Sequence, residues 1–116
     1  MTLPPPPVPQ KLREMLKDYP EHIERLQEVL IRSVERSRRA PLMPFDDAIS
    51  ALEGRLGTFI SEAREELAAA EAAGDEEAVV KTREKERLMS RARSGNIGMA
   101  DLDELWDYFQ ENMRGL

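Results

Sequence analysis

The strongest hydrophobic pattern in the chain lies between residues 45 and 73. Apolar residues recur there with spacings of 4, 3, 4, 3 and 4, which is the heptad pattern of a helix packed along one side. The pattern comprises Phe45, Ile49, Leu52, Leu56, Phe59 and Ala63, and Leu67 and Ala70 continue it after a one-residue drift. Gly74 then suits a helix C-terminus, and Asp75 suits the N-cap of the next helix. These features predict a long antiparallel helical hairpin over about 45–73 and 76–94.

Weaker helical patterns flank the hairpin. On the N-terminal side, the apolar spacing predicts a short helix from about Pro9 to Asp18 and a second helix to about Arg39, with Asp18 as its N-cap. Asp101 is the expected N-cap of a short C-terminal amphipathic helix. Its apolar side comprises Leu102, Leu105, Trp106, Phe109 and Met113. No segment alternates as a strand would, so we predict an all-α fold of four to five helices in which the hairpin packs against the N-terminal helix pair and the C-terminal helix.

A run of prolines opens the sequence, MTLPPPPVPQ. Such runs favour polyproline II, a stiff extended conformation without internal hydrogen bonds. The sequence thus predicts a proline-rich arm over residues 1–9 and a single helical domain over residues 10–116. The arm is either a stiff extension or a strap across the helices. Pro6, Pro9 and Lys11 also fit the P-x-x-P-x-K form of groove-binding ligands, although so proline-rich a run matches that form almost automatically.

Gly54 and Gly57 interrupt the helical segment SALEGRLGTFIS. Each glycine costs a helix interior about 0.5–1 kcal/mol relative to alanine. Both lie opposite the apolar pattern, where Ser50, Thr58 and Ser61 join them in a face of small residues. We expect a second backbone to approach this face closely, from helix 2, a symmetry-related copy or the proline arm. The alternative is that an overlong helix bends at the two glycines.

Composition removes several classes of chemistry. The chain has 116 residues and no cysteine, which excludes disulfides, thiol nucleophiles and thiolate metal sites. The single histidine, His22, leaves no histidine pair for a metal, and we expect it at the surface. No cofactor is predicted. No run approaches the roughly 20 apolar residues of a membrane helix, so we expect no membrane association and a cytoplasmic location.

The charges are distributed in blocks. The net charge of −6 disfavours a general nucleic-acid binder. Residues 41–80 are strongly acidic and residues 81–95 are basic, so the two arms of the hairpin should attract each other. An antiparallel register about Gly74 predicts that Glu62 lies near Arg87 and that Glu66 lies near Arg83.

Carboxylates and arginines supply two candidate functional sites. Glu62 and Glu65, with Glu104 and Asp107, form acidic pairs three residues apart on two helices. Facing pairs of this kind hold Mg²⁺ in all-α nucleotide pyrophosphohydrolases, but the fuller E-E-x-x-E element is absent, so this metal-dependent enzyme is only an alternative. The patch Arg32–Arg39, with Arg36, Arg38 and Arg39, offers a second alternative, a DNA-associated accessory protein, although no aromatic residue is interleaved for base stacking.

The leading hypothesis is a non-enzymatic interaction protein: a small acidic adaptor, antitoxin or immunity-type binder. Its acidic surface on the last helix comprises Asp103, Glu104, Asp107 and Glu111. A helix over 45–73 would be about 43 Å long, whereas a compact domain of this size is roughly 35 Å across. The hairpin should therefore protrude unless its first helix bends. A protruding hairpin with a weakly apolar second helix predicts a homodimer or a protein partner.

Overall fold

The structure, a computed structural model, describes residues 3–39 and 43–113. Every regular element in these two ranges is an α-helix, so the predicted all-α fold is confirmed. The helices are α1 (Gln10–Met15), α2 (Pro20–Arg39), α3 (Pro44–Ala73), α4 (Glu76–Arg93) and α5 (Asp103–Asn112). Over these described residues, no helix is both long and apolar enough to cross a membrane.

The hairpin of α3 and α4 has the predicted limits and the predicted turn. Gly74 adopts the left-handed conformation with φ of 68°, and the Asp75 carboxylate accepts a hydrogen bond from the Ala78 amide at 3.1 Å. The seam is buried where expected, at Leu52, Leu56, Phe59, Ala63 and Ala70. The heptad spacing and the two capping residues thus determine this part of the fold.

The molecule is elongated because the hairpin extends beyond the other helices. Its principal extents are 55 × 23 × 21 Å and its radius of gyration is 16.0 Å, against about 13 Å for a compact domain of this size. Between residues 64 and 81, only Ala70 is buried. The end of the hairpin therefore protrudes, as the length of α3 predicts.

Residues 3–9 form a strap that lies across the helices. Pro6, Val8 and Pro9 are buried, and Val8 belongs to the same hydrophobic core as α2 and α3. Three side chains donate hydrogen bonds to carbonyl oxygens of the strap. They are the Tyr108 hydroxyl to Pro4 at 2.6 Å, the Arg13 guanidinium to Val8 at 2.9 Å, and the Gln27 amide to Pro6. Because the strap has no partner strand, these bonds satisfy backbone acceptors that would otherwise face the helices unpaired.

The N-terminal helices differ in detail from the prediction. α1 ends at Met15, and α2 begins at Pro20, so the cap position of α2 falls on Tyr19 rather than on Asp18. The Tyr19 carbonyl accepts hydrogen bonds from the amides of residues 22 and 23. The predicted capping role of Asp18 is wrong because Pro20 occupies the first helical position directly after Tyr19.

The ion pairs across the hairpin follow a shifted register. Glu66 pairs with Lys85 at 3.0 Å instead of with Arg83, and Glu62 pairs with Arg25 of α2 instead of with Arg87. The Lys85 side chain is only 16% exposed and lies between the two arms. The Glu62 pair is wrong because α2 packs antiparallel to α3 and brings Arg25 to Glu62. The Glu66 pair is wrong because the partner on α4 is displaced by two positions.

The last helix begins one residue later than expected, and its buried face is rotated toward Tyr108. The Asp101 carboxylate accepts a hydrogen bond from the Asp103 amide at 3.1 Å, but the cap position itself falls on Leu102. Trp106, predicted to lie in the core, is 46% exposed, whereas Tyr108 is 6% exposed. The strap explains this rotation of the buried face, because it covers the side of α5 that carries Tyr108.

Candidate interaction surfaces

An open groove containing the exposed tryptophan lies where the first turn of α3 meets α5. It has a volume of about 370 Å³, and its walls are formed by Met43, Pro44, Phe45, Asp46, Trp106, Phe109, Gln110 and Met113. We call it the tryptophan groove. The Trp106 ring packs edge-on against Phe45, with ring centres 5.0 Å apart, and leaves its remaining surface open. Half-exposed aromatic side chains in apolar concavities are typical of protein-binding surfaces.

Met43 combines exposure with an unusual backbone conformation. Its side chain is 66% exposed, and its φ and ψ of 50° and 60° are left-handed. A residue with a Cβ loses about 1–2 kcal/mol in this conformation. Its exposed side chain offsets little of that loss by packing. Strained residues of this kind cluster at functional sites, so Met43 is a candidate contact residue of the groove.

Carboxylates lie in and beside the tryptophan groove. Asp46 forms part of its wall. Asp103 and Asp107 lie one turn apart on α5, both on the same side of Trp106, about 60° and 100° from it around the helix. All three carboxylates are exposed. We call them the acidic rim. The groove thus joins apolar walls to negative charge, which complements an amphipathic segment that carries lysine or arginine.

The other two members of the predicted acidic surface are Glu104 and Glu111. Both are exposed. Glu104 accepts a hydrogen bond from Arg13 of α1 at 3.2 Å, and both side chains of this pair are more than two-fifths exposed. Exposed pairs of this kind contribute at most about 1 kcal/mol. Glu104 therefore links α5 to α1, whereas Asp103 and Asp107 lie nearer to Trp106 around α5.

A second groove, polar in character, lies between α2 and α3. It has a volume of about 400 Å³ and is lined by Val29, Arg32, Arg36, Ser50, Ala51, Gly54, Arg55 and Thr58. We call it the arginine groove. Its three guanidinium groups come from two helices and border a floor of small residues. Guanidinium groups bind carboxylates and phosphates through paired hydrogen bonds, so the groove is suited to anionic groups.

The face of small residues is not covered by another part of the described chain. A Cβ atom at Gly54 would meet nothing within 4 Å, and one at Gly57 would lie 3.7 Å from Arg93 of α4. Residues three apart differ by about 60° around a helix, so Gly57 turns toward α4 while Gly54 stays open. The other members of this face, Ser50, Thr58 and Ser61, are exposed or border the arginine groove. The expected close approach of α2 or of the strap to Gly54 is therefore not seen. The helix α3 continues unbroken through both glycines. Contact of this face with a second copy stays a prediction.

The predicted basic patch is partly neutralised. Arg36 donates to the Asp47 carboxylate at 2.9 Å, and Arg32 pairs with Glu28 one turn away on α2. The remaining members, Arg38 and Arg39, are exposed at the end of α2. The paired carboxylates reduce the positive field that a phosphate backbone would meet.

The carboxylates of the hydrolase alternative are not brought together. Glu62 accepts two hydrogen bonds from Arg25, at 2.8 and 2.9 Å, and the Arg25 guanidinium lies 4.8 Å from the centre of the Phe59 ring. This bonding holds the pKa of Glu62 below its usual value. Within residues 3–39 and 43–113, no three side chains of metal-binding type are grouped around a common point. The structure does not assemble the predicted set of Glu62, Glu65, Glu104 and Asp107.

His22 is part of a packed cluster, which corrects its expected surface position. Its ring centre lies 4.4 Å from that of Phe59 and 5.5 Å from that of Tyr19. Burial lowers the pKa of His22, and the nearby charges of Lys85 and Arg25 lower it further. No local pattern signals this cluster, because it depends on the packing of α2 against α3 and on the approach of the Lys85 side chain of α4.

Comparisons with protein families, with curated proteins and with solved structures find no match for this chain.

Proposed function

We propose that this protein is a non-enzymatic helical interaction module that binds a basic amphipathic helix of a partner protein in the tryptophan groove. The observation that carries the proposal is the exposure of Trp106 and Met43 beside the acidic rim. Tryptophan is among the residues that contribute most to protein interfaces, since it buries a large area and loses little conformational entropy.

The energetics favour an apolar contact reinforced by charge. Burying the open parts of Trp106 and Met43 removes apolar surface from water, which stabilises a complex by about 25 cal/mol per Å². The acidic rim adds selectivity for lysine and arginine and accelerates association at low ionic strength. This division of roles fits the small acidic adaptor, antitoxin or immunity-type binder expected from the sequence. The homodimer and the cytoplasmic location stay predictions.

A fluorescence titration tests the proposal. Trp106 is the only tryptophan of the chain, so its emission reports directly on the groove. The probe is an amphipathic helix of about 18 leucine and lysine residues, and the control peptide has serine in place of leucine. We expect a saturable blue shift with the first peptide and none with the second. Absence of saturable binding by the first peptide would overturn the proposal.

Matched variants separate the groove from general attraction between opposite charges. Asp103→Asn with Asp107→Asn should weaken binding of the probe about tenfold. Glu71→Gln with Glu84→Gln removes the same charge from exposed positions on the hairpin and should leave affinity unchanged. Equal losses in both double variants would mean that net charge, and not the groove, determines binding.

A further inference from the structure

We infer that the arginine groove is a second docking surface, one that takes an acidic α-helix of a partner protein. This inference goes beyond the proposed function, because the surface and the charge of its ligand are both different. It rests on the arrangement of three arginines around the open floor at Gly54.

The backbone positions of two of the arginines match the spacing of residues on one side of a helix. Arg32 and Arg36 lie one turn apart on α2, about 6 Å along its axis, and Arg55 lies on α3. Carboxylates one turn apart on a second helix have the same spacing. Glu28 and Asp47 accept hydrogen bonds from Arg32 and Arg36, but each guanidinium carries five N–H donors. A partner helix laid along the groove could therefore pair successive carboxylates with the remaining donors.

The floor permits close approach of a rod-shaped ligand. Ser50, Gly54 and Thr58 follow one another at intervals of one turn, so the open floor is about 12 Å long. The Thr58 hydroxyl donates to the Gly54 carbonyl at 3.2 Å, which turns it along α3 instead of into the groove. A Cβ at Gly54 would meet nothing within 4 Å, so the backbone of α3 is accessible at this point.

An acidic helix fits the groove better than a nucleic acid does. Among the residues that the structure describes, no aromatic side chain lines the groove to stack on bases. Asp47 and Glu28 offset part of the charge of Arg36 and Arg32, which leaves too little positive charge for the many phosphates of a nucleic acid. The net charge of −6 adds a long-range repulsion that grows with the length of a polyanion. A short helix with a few carboxylates on one side avoids most of this repulsion.

The test measures binding of a fluorescent helical peptide to the full chain. The probe is an alanine-rich peptide of about 20 residues with glutamate at every fourth position, and its control has glutamine at the same positions. We expect the glutamate peptide to bind, the glutamine peptide not to bind, and the affinity to fall as salt is raised.

Three variants assign the binding to the groove. Arg32→Gln with Arg55→Gln should weaken the glutamate peptide about tenfold. Gly54→Leu keeps every charge but fills the floor, and it should weaken binding by a similar factor. Arg83→Gln with Arg87→Gln, at exposed positions of α4, is the control and should bind as the wild type does. Thermal unfolding of each variant verifies that the fold is retained.

Each contrary result points elsewhere. Equal binding of the glutamine peptide, or wild-type affinity in the arginine variant, overturns the inference. Tighter binding of a DNA duplex, lost in the same arginine variant, assigns the groove to nucleic acid and also overturns it. Self-association that disappears in the arginine variant identifies a second copy as the occupant of the groove and likewise overturns the inference. The leucine and lysine probe of the tryptophan groove should be unaffected by these variants, so the two proposals fail independently.

Discussion

Replacing Gly54 by alanine should stabilise the isolated protein. Gly54 lies inside α3, its φ is not positive, and an added methyl group meets nothing within 4 Å. The full helix-propensity difference of about 0.5–1 kcal/mol should therefore be gained, without a steric loss to offset it. With an unfolding entropy of about 2.1 cal/mol/K per residue, this gain raises Tm by about 2–4 °C for 116 residues.

The assay is thermal unfolding followed by circular dichroism, with Gly98→Ala as the contrasting variant. A Cβ at Gly98 would lie 2.1 Å from the Ala92 carbonyl oxygen, so this alanine has to displace backbone and should lower Tm. An unchanged or lower Tm for Gly54→Ala would refute the argument. A decrease in Tm that grew with protein concentration would show that a second copy packs against Gly54.

Three further variants test other parts of the structure. Met43→Gly should leave the free energy of unfolding in urea unchanged or raise it by up to about 1 kcal/mol, because it relieves the left-handed strain. It should also weaken binding of the leucine and lysine peptide. A loss of stability above about 1 kcal/mol would show that Met43 serves the fold. Tyr108→Phe should lower the free energy of unfolding in urea by about 1 kcal/mol, because the hydrogen bond to Pro4 is lost, and an unchanged value would mean that the strap does not depend on it. His22 has a folded-state pKa below its ordinary 6.5, so the unfolded chain binds more protons between the two pKa values. The stability of the wild type should therefore fall as pH drops through 6.5 and level off below the folded-state pKa. Parallel profiles of stability against pH for wild type and His22→Gln would contradict this.

Local sequence determined the hairpin, because each of its signals acts within a few residues. The heptad spacing specifies which side of α3 is buried, Gly74 supplies the left-handed turn, and Asp75 caps α4. The ion pairs were less predictable. Their register depends on how α2 packs beside α3, and Glu62 bonds to Arg25 across 37 positions of sequence.

The buried face of α5 shows why sequence periodicity alone was insufficient. Periodicity places Trp106 and Phe109 on one apolar side and leaves Tyr108 off it, yet in the fold Tyr108 is buried and Trp106 is exposed. The strap makes the distinction, since it packs on α5 and accepts the hydrogen bond of Tyr108. The tryptophan groove follows from this long-range contact and could not be read from the residues of α5.

The glycine that packing requires is not one of the two that helix propensity singles out. Gly54 and Gly57 are unusual for a helix, yet an added Cβ is tolerated at both. Gly98 lies outside the helices and carries no such signal, although the chain bends back over the end of α4 there and its amide donates to the Arg91 carbonyl at 3.1 Å. Close approach of two backbone segments is a tertiary property, so propensity arguments neither require it nor reveal it.

The strap also sets the order in which the molecule can be completed during its synthesis. Pro4 and its hydrogen-bond donor Tyr108 are separated by 104 positions. At translation rates of about 5–20 residues per second, the strap waits about 5–20 s before α5 has been made. The hairpin can form within that interval from local contacts, whereas Val8 and its neighbours gain their final cover only afterwards. The nascent chain thus passes through a stage in which α2 and α3 are paired while the strap, already outside the ribosome, still lacks its last contact.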